Sequence, residues 1–357
     1  MVANSSTMRA FEFRANRTIV EVTRAIPEPG DGEVRVRVAF TGICGTDLHE
    51  YYEGPVVTLM AGTNDRTGHV APIIPGHEAS GVVDAVGAGV SDFAVGDRVA
   101  LEPIYGIGEG QSHYNVAAAF YGYHAQGFLA DYAVVKRTSL HHLPDSVSLA
   151  DGALVEPLSV AVHAVARAQV APDETTVVFG GGPIGVGLSL VLAARGIRTI
   201  VVVEPSATRA AALRALGFTV LDPGRDDFEE ALTAETPDGV QVVFDAAGAS
   251  SVMSTATSVV RPGGRIILVA TYPRPIPLDA MAMLAAELSI IAVNAYDRGD
   301  FQSTIELLTT GRISSQGWVE QVPFADAIEV GYPRLRSAVA AKVLVEVGGE
   351  HVDSQLS

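Results

Sequence analysis

The sequence predicts a two-domain α/β protein: a β-rich, partly open barrel followed by a doubly wound parallel sheet. Three observations carry that prediction. At 357 residues, 48% of them hydrophobic, the chain has material for two cores and is too long for one ordinary domain. Up to about Val135 it runs in short alternating segments broken by glycine and proline, whereas beyond Pro157 apolar strands alternate with alanine-rich helical stretches, which is βαβ order. A glycine-rich turn, Gly180-Gly181-Gly182-Pro183-Ile184-Gly185, then stands between a strand and a helix of the second part.

Taken in order, residues 1–7 read as a loose extension and Met8-Arg9-Ala10-Phe11 as the start of the first strand. Glu33-Val34-Arg35-Val36-Arg37-Val38 alternates with the period of a half-buried strand. Residues 81–87 and 96–100 continue this β-rich part, with glycines suited to bulges and sharp turns. In the second part, strands are expected at 176–180, 199–203, 240–245, 264–270 and 288–293, and helices at 184–194 and 207–216, in a parallel sheet of about six strands covered on both faces. A helix at 301–309 and a strand at 341–347 do not extend the alternation, so the tail is expected to return to the first domain. The domains are therefore drawn as 1–157 with 298–357, enclosing 158–297. Neither a repeat nor a low-complexity segment suggests a scaffold.

Composition excludes several functions. A formal charge of −17 opposes binding to a phosphate backbone, which needs a basic footprint. Thr175 to Ala194 carries no charge and is long enough for a membrane span, but Gly180-Gly181-Gly182-Pro183 would break a spanning helix, and a buried strand, a turn and a helix account for the run. The single cysteine, Cys44, cannot form an intramolecular disulfide and suits a reducing compartment. Met1 to Ala10 has no apolar signal-peptide core, so a cytoplasmic protein with a small-molecule partner, and with neither nucleic acid nor membrane, is expected.

The glycine turn fits a dinucleotide fingerprint at Gly180, Gly182 and Gly185. The first permits a tight turn, the second lets the backbone approach a pyrophosphate, and the third allows close packing of helix on strand. Pro183 and Ile184 open the helix whose N-terminus receives the anion. Glu204 ends the next strand, where a carboxylate binds ribose hydroxyls and repels a 2′-phosphate. Arg209 nearby leaves room for NADP, but the balance favours NAD.

Cys44, in Gly42-Ile43-Cys44-Gly45-Thr46-Asp47-Leu48-His49, and His77, in Gly76-His77-Glu78, are the donor types of a catalytic zinc, which takes three protein ligands and keeps one position open. Glu78 and Glu156 are both candidates for the third ligand, with the preference to Glu156; the other, with Asp47, would orient the site. Zinc beside nicotinamide makes chemical sense because it acidifies an alcohol. Thr46 and His49 could pass the released proton to solvent. His113, His124, His141 and His142 are expected in loops, and Tyr52, Glu102 and Tyr121 are candidate pocket residues, each more readily structural.

These motifs, with Val95-Gly96-Asp97-Arg98-Val99, Glu156-Pro157-Leu158 and Ala295-Tyr296-Asp297-Arg298-Gly299-Asp300-Phe301, make the chain resemble the zinc-dependent medium-chain alcohol and polyol dehydrogenases from near its start to its end. Leu48-His49-Glu50-Tyr51-Tyr52-Glu53-Gly54-Pro55, the long insertion before Gly76, and Glu102-Pro103-Ile104-Tyr105 look most like the 2,3-butanediol dehydrogenase branch. The resemblance implies a GroES-like catalytic domain and a Rossmann domain. It also implies zinc on Cys44, His77 and a glutamate, the Thr46–His49 relay, and a homodimer or homotetramer. One departure is large: the cysteines that hold a structural zinc in the family are missing, with Ile107, Gly110 and Ala117 where three are expected. One catalytic zinc and no structural one follows. The expected activity is reversible, NAD-dependent oxidation of a secondary alcohol such as a vicinal diol, polyol or cyclitol. The alternatives are a zinc-free reductase of the same superfamily and a catalytically silent nucleotide-binding protein.

Overall fold

The computed structural model describes residues 6–105, 119–272 and 274–350. An antiparallel hairpin, β1 (Thr7–Ala15) and β2 (Thr18–Ala25), comes first. There follow β3 (Glu33–Ile43), helix α1 (Gly45–Glu53), β4 (Glu78–Val86), β5 (Arg98–Leu101), the short pair β6 (Ile104–Tyr105) and β7 (Ala119–Phe120), β8 (Tyr132–Lys136), β9 (Leu140–His142) and helix α2 (Leu149–Gly152). Along β3 the valines at 34, 36 and 38 are fully buried, while Arg35 on the opposite face pairs with Asp84 at 2.7 Å, so the alternation in the sequence is the alternation of the strand's two faces. Register shifts between β3 and β4 at Arg35/Val36 and Val38/Phe40 bend this sheet, as bulges do.

The second part begins with α3 (Val155–Ala168). It continues through β10 (Thr175–Phe179), α4 (Pro183–Ala194), β11 (Thr199–Val203), α5 (Ala207–Ala215), β12 (Thr219–Leu221), α6 (Phe228–Glu235), β13 (Val240–Asp245), α7 (Ser250–Val259), β14 (Val260–Leu268), α8 (Ala280–Ala285) and β15 (Ser289–Ala292). The six strands are parallel and ordered β12-β11-β10-β13-β14-β15. Val178, Val202 and Phe244 face a core shared with α3, α4 and α5; Val177, Val201 and Val243 face another shared with α6 and α7. Burial on both faces is why these strands read as unbroken apolar runs. Strand order reverses between β10 and β13, and a crevice for a ligand opens at such a point.

The tail carries α9 (Arg298–Thr309), β16 (Val319–Pro323), α10 (Tyr332–Arg336) and β17 (Lys342–Glu346). β17 lies antiparallel to the end of β3, with Val343 opposite Ile43, and completes the first sheet in the order β16-β17-β3-β4-β5-β9, with β8 also on β3. The uncharged run at 175–194 resolves into β10, the glycine turn and α4, and no helix among the described residues is long and apolar enough to cross a membrane.

Two sequence expectations change. β12, the sixth strand, is only Thr219–Leu221, too short to stand out from the helix before it. His141 and His142 lie on β9 rather than in a loop, and buried His141 can occupy a strand because its Nε2 meets Glu102 Oε2 at 2.7 Å. The segment read as a shortened zinc lobe, with Ile107, Gly110, His113 and Ala117, lies outside the described residues, as do residues 1–5 of the N-terminal extension.

Candidate active site

β3 delivers Cys44 to the start of α1, where its backbone N–H donates to Asp47 Oδ2 at 2.9 Å. Gly76, held at φ +91°, turns the chain so that His77 stands just before β4 and Glu78 opens it. The sulfur of Cys44, a ring nitrogen of His77 and a carboxylate oxygen of Glu78 all lie within 4.8 Å of one another. Among the described residues, two buried atoms of these side chains, His77 Nδ1 and Glu78 Oε1, have no hydrogen-bond partner. His77 Nδ1 is 3.4 Å from Asp47 Oδ1, but the two are not aligned for a hydrogen bond. Buried polar atoms without partners are costly. A thiol, an imidazole and a carboxylate with free lone pairs form a donor set that suits zinc and leaves a fourth position open.

Charge at the site follows from the same packing. Burial disfavours charged His77, but Asp47 and Cys44 outweigh it and hold the imidazole well above the usual histidine range. Burial likewise acts against charged Asp47, and His77, the Cys44 N–H and the Tyr123 hydroxyl, which donates at 3.1 Å, bring its carboxyl below the ordinary value. Glu156, in the first turn of α3, is not among the three groups within 4.8 Å. Its carboxyl is pushed up to about 7, by burial first, with His77 acting in the opposite sense and Glu78 reinforcing the rise.

Lys342 on β17 was not singled out in the sequence. Its side chain is fully buried, ion-pairs with Glu78 Oε2 and donates to the Ile43 carbonyl at 2.9 Å. The only available signal is a lone cation inside the apolar run Ala341 to Val345. Gly42 makes the approach possible, because a Cβ there would collide with the Glu78 carboxylate and come within 3.1 Å of Lys342 Cε.

The Cys44 thiol points to Thr46 Oγ1 at 3.8 Å. His49 is half-exposed, 3.5 Å from Glu53 Oε2 through Nδ1, and with Gly45 and Leu48 it lines the neighbouring cleft. Tyr52 instead stacks under the Arg336 guanidinium, at 3.9 Å from the ring centre. Glu102 is buried against His141, and buried Tyr121 accepts the Lys136 N–H at 2.9 Å.

That cleft, about 640 Å³, is walled by the glycine turn, the end of β11, the loop after β13 and the segment 335–338. Gly180 has φ +102°, and a Cβ on Gly185 would strike the Gly180 carbonyl. Gly182 caps α4, with Pro183 and Ile184 in its first turn. Glu204 is buried at the cleft floor, where Oε2 accepts the Gly181 N–H and Oε1 the Ser206 N–H, both at 2.6 Å. Arg209 spends Nε on the Ala340 carbonyl (3.0 Å) and Nη2 on the Leu335 carbonyl (3.1 Å); burial lowers its pKa and Glu204 opposes that.

Comparison with known proteins adds to this geometry. Residues 30–145 match the alcohol dehydrogenase GroES-like domain, and residues 183–310 match the zinc-binding dehydrogenase family. The chain is 34% identical to (R,R)-butanediol dehydrogenase of Neisseria gonorrhoeae over 90% of its length and 94% of that protein. It is also 34% identical to 2-dehydro-3-deoxy-L-galactonate 5-dehydrogenase of Pseudoalteromonas atlantica, over 89% and 93%. The crystal structure of 2R,3R-butanediol dehydrogenase from Bacillus subtilis superposes with a TM-score of 0.89 at 32% identity, covering 95% of this chain and 99% of that one. Solved structures of this fold hold NADH or NADP. The chain therefore belongs to the zinc-dependent medium-chain alcohol and polyol dehydrogenases, oxidoreductases acting on CH–OH groups, and falls with the butanediol dehydrogenase branch.

Proposed function

We propose that this protein catalyses the reversible, NAD-dependent oxidation of a secondary alcohol bearing a neighbouring hydroxyl, a vicinal diol or polyol, to the ketone. The observation that carries this reading is the Cys44–His77–Glu78 donor group with its two orphaned atoms, joined through α1 to the cleft beside the glycine turn. Cys44, His77 and the Oε1 side of Glu78 would hold one zinc. When bound, zinc supplies Lewis-acid activation of a substrate hydroxyl. Thr46 would take the hydroxyl proton and hand it toward His49, whose half-exposed ring opens to solvent. Asp47, 3.4 Å from His77 Nδ1, would orient that ring.

In the cleft, the turn at 180–185 and the N-terminus of α4 would receive the pyrophosphate, and the C-terminal end of β11 the adenosine ribose. The Glu204 carboxylate supports NAD over NADP, because a 2′-phosphate brought beside it meets like charge, while Arg209 spends Nε and Nη2 on the Ala340 and Leu335 carbonyls. The missing lobe cysteines support a single zinc per subunit, and the family supports a homodimer or homotetramer.

The test is NADH formation from a panel of vicinal diols, polyols and simple secondary alcohols, before and after chelation. Turnover of diols that stops on chelation and returns with zinc supports the reading. Turnover that ignores chelation supports a zinc-free reductase instead.

A further inference from the structure

Asp245, the last residue of β13, is fully buried next to the cleft-lining Ala246 and Ala247, and its oxygens tie two segments together. Oδ1 accepts the Ala247 N–H at 3.0 Å and the Gly248 N–H at 2.9 Å, which folds the loop after β13 back on itself. The Asp245 carbonyl accepts the Val269 and Ala270 N–H groups just after β14, both at 3.0 Å. Oδ2 accepts the Tyr272 hydroxyl at 2.8 Å.

The loop held in this way is a wall of the cleft. Ala246, Ala247 and Ala249 line it, and the Ala246 N–H donates to the Phe179 carbonyl at the end of β10, at 2.9 Å. The loop also lies directly against the glycine turn: a Cβ on Gly180 would stand 3.1 Å from the Ala246 carbonyl carbon and the Ala247 nitrogen. Farther along, Gly248 has φ +68°, and a Cβ there would stand 2.6 Å from the Thr271 carbonyl oxygen, so the loop and the segment after β14 meet backbone to backbone. Tyr272 is what fastens that segment. Residues 271–278 form no helix or strand, and the Tyr272 hydroxyl makes their one hydrogen bond among the described residues.

We propose that Tyr272 is a positioning residue for the dinucleotide: by donating to Asp245 it holds the loop 246–249 against the glycine turn, in the arrangement that receives the cofactor. Without the hydroxyl, buried Oδ2 is left unpaired, and it regains a partner only if the loop shifts off that arrangement. A receptive arrangement populated about a tenth of the time weakens affinity about tenfold. This rests on the reading above that the cleft takes a dinucleotide.

The test is a fluorescence titration of the full-length protein with whichever of NADH and NADPH the wild type binds, using Tyr272→Phe, Asp245→Ala and both together. In Tyr272→Phe the dissociation constant of the reduced cofactor and KM for the oxidised one rise by about tenfold. Its kcat does not fall, and the unliganded protein unfolds within a few degrees of the wild type. Asp245→Ala, which frees both ends of the tie, weakens binding at least as much, and the double variant is no weaker than Asp245→Ala alone. Wild-type affinity in Tyr272→Phe overturns the proposal, as does affinity lost together with kcat and thermal stability, or losses that multiply in the double variant. If Asp245→Ala does not fold, Tyr272→Phe decides alone. In each of those cases the wild type still binds the cofactor, so the dinucleotide reading stands. A wild type that binds neither NADH nor NADPH overturns both.

Discussion

Lys342 and Glu78, 264 residues apart in the chain, form an ion pair with both side chains closed off from solvent. The same ammonium donates to the carbonyl of Ile43, the residue before Cys44. One cation therefore ties the end of β3, which delivers Cys44, to the start of β4, which follows His77. Removing one partner of a buried pair leaves the other charged and unpaired, at a cost of about 3–5 kcal/mol. Lys342→Met should destabilise by that amount in denaturant unfolding, and adding Glu78→Gln should recover much of it. A loss below about 1 kcal/mol would mean the pair holds nothing together.

The His163–Asp300 contact between α3 and α9 should give a pH signature. Burial raises the Asp300 pKa, but the hydrogen bond with His163 and the Asp297 N–H outweigh it, and the folded value lies below the ordinary 3.8. A lowered folded pKa means stability fully present above the unfolded value and lost as pH falls through the folded one. Asp300→Asn should therefore cost about 1.5 kcal/mol at pH 6, and the gap to wild type should close below about pH 4. Chemical unfolding across that range checks it; a gap that widens on acidification has the wrong sign.

Gly185 faces the Gly180 carbonyl without room for a Cβ. Gly185→Ala should weaken NADH binding more than tenfold, about 1.4 kcal/mol or more, by forcing the turn open. Metal content should be unchanged, since the Cys44–His77–Glu78 group lies on other elements. Fluorescence titration with NADH, paired with elemental analysis, separates the two.

Glu204 holds two backbone N–H groups and places a negative charge at the cleft floor. Glu204→Gln removes the charge and turns a donor toward one of those N–H groups. The ratio of kcat/KM for NAD over NADP should fall by at least about tenfold, with KM for NAD rising. An unchanged ratio would place the choice of cofactor elsewhere.

Much of this was legible because it is local. The glycine turn, β10, α4, β11 and Glu204 follow one another within thirty residues, and each adds a constraint the next one needs. Cys44 and His77 were legible by residue type, since a lone cysteine and a histidine next to a glycine turn have few other reasons to pair. Lys342 was not, because it acts through neighbours from distant strands that no spacing announces. Glu156 was read as the preferred third ligand, whereas the structure groups Cys44 and His77 with Glu78 and places Glu156 outside that set.

The central claim, a single zinc held by Cys44 in an alcohol dehydrogenase, is tested most directly by zinc per chain in protein purified without added metal, wild type beside Cys44→Ala. The account expects close to one zinc in the wild type and almost none in the variant, with NADH formation from a vicinal diol lost in parallel. A wild type without zinc, or a variant that keeps its zinc and its turnover, would contradict it.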